Sequence, residues 1–132
     1  MTIRLLVFED SSAKLKSFEK LLSLKLQTEL NYSLEIVNRT DEDLLESDLM
    51  TNSFNFILID DDLGDLWGND VISNIVGITD NTPEVKNTPK IYYSSGTPVS
   101  ELKEKIKHFG GGIACITFEE LEDYVFRLIK SL

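Results

Sequence analysis

Short apolar runs recur along the chain, and each is followed by a stretch with helical spacing. The apolar residues inside the runs are nearly continuous, which is typical of strands buried on both faces. The predicted strands are residues 3–8, 34–37, 54–59, 90–93 and 113–116.

The stretches between these runs predict amphipathic helices. In residues 13–26, Leu15, Phe18, Leu22 and Leu26 recur at three- and four-residue spacing, which places them on one helix face. An N-cap is expected at Asp10, Ser11 or Ser12. The other predicted helices lie around residues 44–49, 71–76, 99–109 and 121–132, with capping boxes starting at Thr40 and Thr117. Residues 78–88 are polar, contain Pro83 and predict a loop.

Strands that alternate with helices indicate a parallel sheet covered on both faces. The predicted fold class is therefore α/β, a flavodoxin-like (βα)5 doubly wound domain. Its five-stranded parallel sheet is expected to have the order 2-1-3-4-5. No linker or repeat interrupts the pattern, so residues 1–132 are expected to form a single domain without an output domain.

Composition narrows the class of protein. The 132 residues are 42% hydrophobic and 27% charged, as in ordinary globular domains, and the net charge is −10. That charge disfavours nonspecific binding to nucleic acid or to anionic membranes. Residues 1–10 do not resemble a signal peptide, and no apolar run approaches the ~18 residues of a membrane span. The single cysteine, Cys115, predicts a buried free thiol, and a cytoplasmic location is expected.

Acidic residues end two of the predicted strands. Glu9 and Asp10 follow the first strand, and Asp60 ends the third, with Asp61 and Asp62 next to it. Strands one and three are neighbours in the expected order, so Glu9, Asp10 and Asp60 are predicted to converge. Asp61 and Asp62 are interpreted as turn residues exposed to solvent.

Converging carboxylates require a positive charge. Two of them about 4 Å apart repel by roughly 1 kcal/mol in water and about 4 kcal/mol at an effective dielectric constant of 20. Carboxylate oxygens without nearby His or Cys ligands favour Mg²⁺. An aspartate beside such an ion is also suited to accept a phosphoryl group, and Asp60 is the candidate.

In the acidic residues that end strands one and three, the chain resembles the receiver domains of response regulators in two-component signalling. The resemblance extends over residues 3–132. It rests on the acidic pair Glu9-Asp10, on Asp60 with Gly68 eight positions later, and on a small hydroxyl residue, Ser94, that ends strand four. Phe118 stands where receivers have an aromatic residue after strand five.

The resemblance implies a role for each site residue. Asp60 would accept the phosphoryl group, and Ser94 would hydrogen-bond to it and shift with it. Asp10 and Asp60 would bind Mg²⁺ directly, Glu9 would act through water, and the backbone carbonyl of Asp62 would add a ligand. The resemblance implies a phosphoacceptor and not a conventional enzyme, and hydrolysis of its own phosphoryl group is among the activities that it implies.

The resemblance also implies the partners. A histidine kinase or a phosphotransfer protein would supply the phosphoryl group, and a downstream protein effector would receive the signal. No nucleic acid or membrane would be contacted directly. Receivers often pair through their last helices, so a homodimer is one of the implied assemblies.

The chain departs from the receiver pattern at strand five. Receivers carry a lysine at its end, and that position falls here on Ile116 or Thr117, neither of which pairs with a phosphate. A charge-assisted hydrogen bond is worth about 1.5–3 kcal/mol, so its loss would weaken phosphoryl binding. Lys90 and Lys103 are the candidates to replace this lysine.

Three functions therefore compete. The favoured one is a stand-alone receiver in a phosphorelay. The alternative is a pseudo-receiver, a binding module that works without phosphorylation, and the missing lysine supports it. The third is a hydrolase of the haloacid dehalogenase type, since Asp60 and Asp62 form an Asp-x-Asp pair. That family places the pair on the first strand and has a threonine where this chain has Gly64, so the hydrolase is disfavoured.

Overall fold

Five parallel strands form one sheet in the order β2-β1-β3-β4-β5. The computed structural model describes residues 1–51, 53–80, 82–110 and 112–132. The order confirms the predicted flavodoxin-like topology. The strands are β1 (Thr2–Phe8), β2 (Ser33–Arg39), β3 (Phe56–Asp60), β4 (Lys90–Ser94) and β5 (Ile113–Thr117).

Helices connect the strands and cover both faces of the sheet. A π-helical turn at Leu26–Leu30 extends the first helix, and a 3-10 turn at Lys107–Phe109 extends the fifth. The helices are α1 (Ser12–Lys25), α2 (Leu45–Thr51), α3 (Gly68–Thr79), α4 (Pro83–Lys86), α5 (Val99–Ile106) and α6 (Phe118–Lys130).

The sheet separates two apolar layers. Phe56 and Leu58 of β3 pack in the layer that includes α1 and α6, whereas Ile57 and Ile59 pack in the layer that includes α2, α3 and α5. Side chains alternate between the faces of a strand. The alternation directs Asp60 to the α1 side and the next residue, Asp61, to the α5 side.

Local differences from the predicted elements have simple causes. The loop predicted at 78–88 is wrong in part, because α3 continues to Thr79 and Pro83 begins the short α4. Proline is tolerated in a first helical turn, where its missing N–H is not needed. Asn81 lies outside the described residues. Cys115 is a free thiol, as predicted, but it is half-buried, because β5 is an edge strand.

The predicted caps have mixed outcomes. Ser11 is the N-cap of α1, and its side chain accepts a hydrogen bond from the Lys14 amide. Thr117 is the N-cap residue of α6 but makes no side-chain cap bond. The capping box at Thr40 is also wrong: the Asp43 amide donates to the Asp41 carboxylate 3.0 Å away, and α2 begins only at Leu45.

Among the described residues, no helix combines the length and apolar character that a membrane span requires.

Candidate functional site

Glu9, Asp10 and Asp60 come together at the carboxyl edge of the sheet. One carboxylate oxygen from each lies within 4.8 Å of the others. β1 and β3 pair directly, with Phe8 opposite Ile59, so the residues that follow these strands meet. The predicted convergence of the three acids is confirmed.

Glu9 is the most constrained of the three acids. It is 2% exposed, and one of its oxygens accepts a hydrogen bond from the Tyr93 hydroxyl at 3.0 Å. The other oxygen accepts from the Ser11 amide at 3.0 Å. Burial, followed by the nearby Glu9 and Asp60 charges, raises the pKa of Tyr93 well above its ordinary value, so this hydroxyl stays a donor.

A lysine from the first turn of α1 enters the acidic cluster. Lys14 Nζ lies 3.2 Å from Asp60 Oδ2 and 3.4 Å from Glu9 Oε1. It is also 3.4 Å from Ser95 Oγ. The sequence prediction missed Lys14. The available signal was a cation in a first helical turn that holds no acidic residue, where the helix dipole disfavours positive charge.

The two lysines proposed from sequence to serve the site lie elsewhere, so that prediction is wrong. Lys90 begins β4, pairs in register with Ile57 and donates from Nζ to the Thr88 carbonyl at 2.9 Å. It therefore lies at the opposite edge of the sheet from Asp60. Lys103 is exposed on α5, and its charge acts on the Cys115 thiol of β5. Ile116, one of the two residues that fall at the lysine position of receivers, packs in the apolar layer of α1 and α6.

Asp60 is a buried carboxylate whose pKa departs from its ordinary value. It is 3% exposed. Burial, followed by the negative charge of Glu9, raises its pKa to about 7, against the opposing effect of Lys14. A carboxylate in such a site gains from a further positive charge, because its ionised form is otherwise poorly solvated.

Asp61 is not the exposed turn residue that was predicted. It is fully buried and accepts hydrogen bonds from Tyr92 and, at 2.9 Å, from the Thr97 hydroxyl. Lys105 Nζ lies 2.9 and 3.1 Å from its two oxygens. Burial raises the pKa of Asp61, but the bonds from Tyr92, Lys105 and Thr97 outweigh it, and the pKa lies below its ordinary value. Alternation along β3 was the signal that could have separated Asp61 from Asp60.

Asp62, in contrast, is an exposed turn residue, as predicted. It is exposed, and its side chain accepts a hydrogen bond from the Gly64 amide at 2.9 Å. Gly64 has φ +81, and a Cβ there would lie 3.2 Å from Asp10 Oδ2. Glycine thus allows the loop to pass close to Asp10.

Ser94 lies beside Asp60, and its side chain is hydrogen-bonded to the backbone of the loop that follows β4. Its Oγ accepts hydrogen bonds from the amides of Gly96 at 3.1 Å and Thr97 at 2.9 Å. The hydroxyl proton is not used in these bonds, so Ser94 remains able to donate to a group bound at Asp60.

The site opens into a cleft of about 450 Å³. Asp10, Lys14 and Asp60 line one part of it, and Ser94 and Trp67 line another. The Trp67 side chain is 54% exposed, and Lys105 Nζ lies 4.6 Å from its ring centre. The cleft therefore gives small molecules access to Asp60.

The acidic cluster fits a divalent cation. Its donors are carboxylate oxygens, which suit Mg²⁺ or Ca²⁺. When all three acids are ionised, one ammonium leaves two negative charges uncompensated. Asp10, the exposed member, and Asp60 both line the open cleft.

No protein-family model matches the sequence, and no curated protein matches it. Solved structures do match. One is a CheY-like receiver domain protein from Methanospirillum hungatei, with a TM-score of 0.66 and 19% identity, covering 99% of this chain and 96% of that one. The phosphorylated cyanobacterial phytochrome response regulator RcpA has a TM-score of 0.64 and 15% identity over 98% and 93% of the two chains.

A third match shows what such a fold binds elsewhere. It is a response regulator protein from Burkholderia pseudomallei with a phosphorylated aspartic acid, a calcium ion and citrate. Its TM-score is 0.59 at 15% identity, and the match covers 86% of this chain and 59% of that one. These similarities establish that this chain has the fold of CheY-like response-regulator receiver domains over nearly its whole length.

Proposed function

We propose that this chain acts as a receiver in phosphorelay signalling, in which Asp60 accepts a phosphoryl group with the help of Mg²⁺. The observation that carries the proposal is the buried Asp60, which shares an open cleft with Asp10, Lys14 and Ser94. Asp10 follows β1, Asp60 and Ser94 end β3 and β4, and Lys14 lies in the first turn of α1. Phosphoryl transfer depends mainly on positioning and charge stabilisation, and the cleft offers both.

The reaction needs Asp60 as the nucleophile. One of its oxygens forms a bond to phosphorus, and the bond from phosphorus to the donor's leaving group breaks, so the leaving group departs with the electron pair. Asp10 and Asp60 would hold the Mg²⁺ directly, with Glu9 acting through water and Asp62 through its backbone carbonyl. When bound, the ion would offset the charge of the carboxylates and of the incoming phosphoryl oxygens.

The partners follow from this role. A histidine kinase or a phosphotransfer protein would be the donor, and a protein effector would receive the signal. Ser94 would bind the phosphoryl group through its free hydroxyl proton and shift with it, and the bonds that its oxygen accepts from Gly96 and Thr97 would pass the shift to these two residues. The start of α5 would then respond first, because these residues immediately precede it.

Phosphorylation of Asp60 is the direct test. After incubation with acetyl phosphate and Mg²⁺, the wild-type protein is expected to gain the mass of one phosphoryl group, and Asp60→Asn is expected to gain none. Asp70→Asn is the matched control, because it makes the same change at an exposed aspartate on α3 outside the cleft, and it should be modified like the wild type. If the folded wild-type protein gains no mass, the pseudo-receiver that works without phosphate becomes the better assignment.

Binding of Mg²⁺ makes a separate prediction. A ligand that binds only the folded state stabilises it by about 2.7 kcal/mol at 100 times its dissociation constant. Mg²⁺ is therefore expected to raise the melting temperature of the wild-type protein, and to change the fluorescence of Trp67, which lines the cleft.

The control for Mg²⁺ binding removes one negative charge either inside the acidic cluster or from an exposed position on α1. Asp10→Asn is expected to abolish both responses, whereas Glu19→Gln, at an exposed acid on α1, is expected to leave them intact. Equal responses in the two variants would place the ion outside the acidic cluster.

A further inference from the structure

Lys14 is the cation that faces the candidate phosphoacceptor. Its Nζ lies 3.2 Å from Asp60 Oδ2 and 3.4 Å from Glu9 Oε1, although the residue belongs to α1 and not to a strand. Within the described part of the chain, the ion pairs of Asp60 are with Lys14. β5, Ile113–Thr117, contains no charged residue.

The lysine is held in place along its length. Its backbone N–H donates to the N-cap Ser11 at 3.3 Å. Its Nζ lies 4.9 Å from the centre of the Phe118 ring and 5.9 Å from that of Tyr93, within the range of cation–π attraction. Ser95 Oγ contacts Nζ from the far side of the cleft. The ammonium is therefore positioned before any anion arrives.

Lys14 remains charged in this site. Partial burial lowers its pKa, but the charges of Asp60 and Glu9 outweigh burial, and the pKa lies above its ordinary value. A lysine in the first turn of a helix also opposes the helix dipole. The two acids offset that cost, which explains how a cation is kept at the N-terminus of α1.

A fixed ammonium next to a carboxylate nucleophile has a clear use in phosphoryl transfer. The transferred group carries negative charge on its oxygens, and positioned donors stabilise that charge. Lys14 alone does not replace a divalent ion, since it leaves two charges of the ionised acidic cluster uncompensated. A metal is therefore still needed. The three hydrogens of the Lys14 ammonium now face Asp60, Glu9 and Ser95, and the ammonium redirects its hydrogen bonds when a phosphoryl oxygen arrives.

We infer that Lys14 is the phosphoryl-binding lysine of this chain and that α1 supplies it in place of the strand-five lysine. The inference rests on the proposed function. When Asp60 attacks phosphorus in acetyl phosphate, the bond to the acetate oxygen breaks and acetate leaves with the electron pair. Lys14 turns from the carboxylate oxygen to the phosphoryl oxygens and donates hydrogen bonds, and it transfers no proton.

The test compares Lys14→Met with Lys16→Met, which removes the same charge from an exposed position of the same helix. The initial rate of phosphorylation by acetyl phosphate is measured by intact mass at saturating Mg²⁺. Lys14→Met is expected to lower the rate by about 10- to 100-fold, the worth of one charge-assisted hydrogen bond. Lys16→Met is expected to match the wild type, and Lys14→Arg to retain part of the rate.

Two further measurements separate this inference from the proposed function. The first is binding of beryllium fluoride, a phosphoryl mimic, in the presence of Mg²⁺, and Lys14→Met is expected to weaken it by a similar factor. The second is the affinity for Mg²⁺ alone, which should rise in Lys14→Met, because a competing cation has gone. Circular dichroism establishes that each variant is folded.

The outcomes differ for the two proposals. If the wild type is not phosphorylated, the proposed function is wrong, and beryllium fluoride binding alone decides the role of Lys14. If Lys14→Met binds beryllium fluoride like the wild type, or if the wild type does not bind it, the inference about Lys14 is wrong. Tighter Mg²⁺ binding with an unchanged phosphorylation rate would reduce Lys14 to a neutralising charge and would also overturn the inference.

Discussion

Replacing Gly68 with alanine is expected to lower the free energy of unfolding by about 3 kcal/mol or more, the upper range for overpacking a core. A Cβ at this position would lie 2.1 Å from the backbone oxygen of Asp60 and 2.9 Å from the ring of Tyr92. The Asp60 backbone belongs to central strand β3 and does not yield easily. The Gly68 amide also donates to the Asp61 carbonyl at 2.7 Å.

Urea unfolding is the measurement, and Gly77→Ala is the control on the same helix. A Cβ at Gly77 meets nothing within 4 Å outside its own helix turn, so this variant is expected to gain about 0.5–1 kcal/mol from helix propensity. Because the clash is with Asp60 itself, Gly68→Ala is also expected to slow phosphorylation at temperatures where it remains folded. Wild-type stability in Gly68→Ala would contradict the packing described here.

Asp61→Asn is expected to destabilise the fold by about 3 kcal/mol, toward the lower end of the cost of breaking a buried ion pair. The lower end applies because the Lys105 side chain is 29% exposed and regains water when its partner is lost. The side-chain NH₂ of the new asparagine would also face the hydroxyl groups of Tyr92 and Thr97, which already donate to this position. Most of the lost stability is therefore expected to come from the buried Asp61 position and not from Lys105.

The matched variant for Asp61→Asn is Asp62→Asn, one residue further along. Asp62 is exposed, and an asparagine can still accept from the Gly64 amide, so its stability is expected to stay within about 0.5 kcal/mol of the wild type. The denaturant midpoint should fall for Asp61→Asn with an unchanged slope. Equal midpoints in the two variants would show that the buried network does not stabilise the loop after β3.

The sequence was sufficient to predict the sheet order and the meeting of Glu9, Asp10 and Asp60. Short apolar strands separated by helices allow few topologies, and parallel strands bring their carboxyl ends to one edge. These features depend on the path of the backbone. Binary patterning indicates the strands and helices and leaves few doubly wound paths, so these features can be predicted without knowing any side-chain conformation.

Lys14 and Asp61 show what the pattern did not predict. The Lys14 side chain reaches the cluster by crossing two aromatic rings that come from β4 and α6, and no local spacing encodes that path. Asp61 was grouped with its neighbours because three consecutive acids look alike in sequence. The pleat of β3 separates them, and the cation that neutralises Asp61 lies 44 positions away at Lys105.

The absence of charge from β5 has an evolutionary consequence. With the cation of the site carried by α1, Ile113–Thr117 are constrained by packing rather than by chemistry. Substitutions that keep β5 packed and that spare Lys105 on α5 and Phe118 on α6 can then accumulate without altering the reacting groups. Such an arrangement makes the molecule modular: one half is free to acquire new recognition properties while the other half keeps its reactivity.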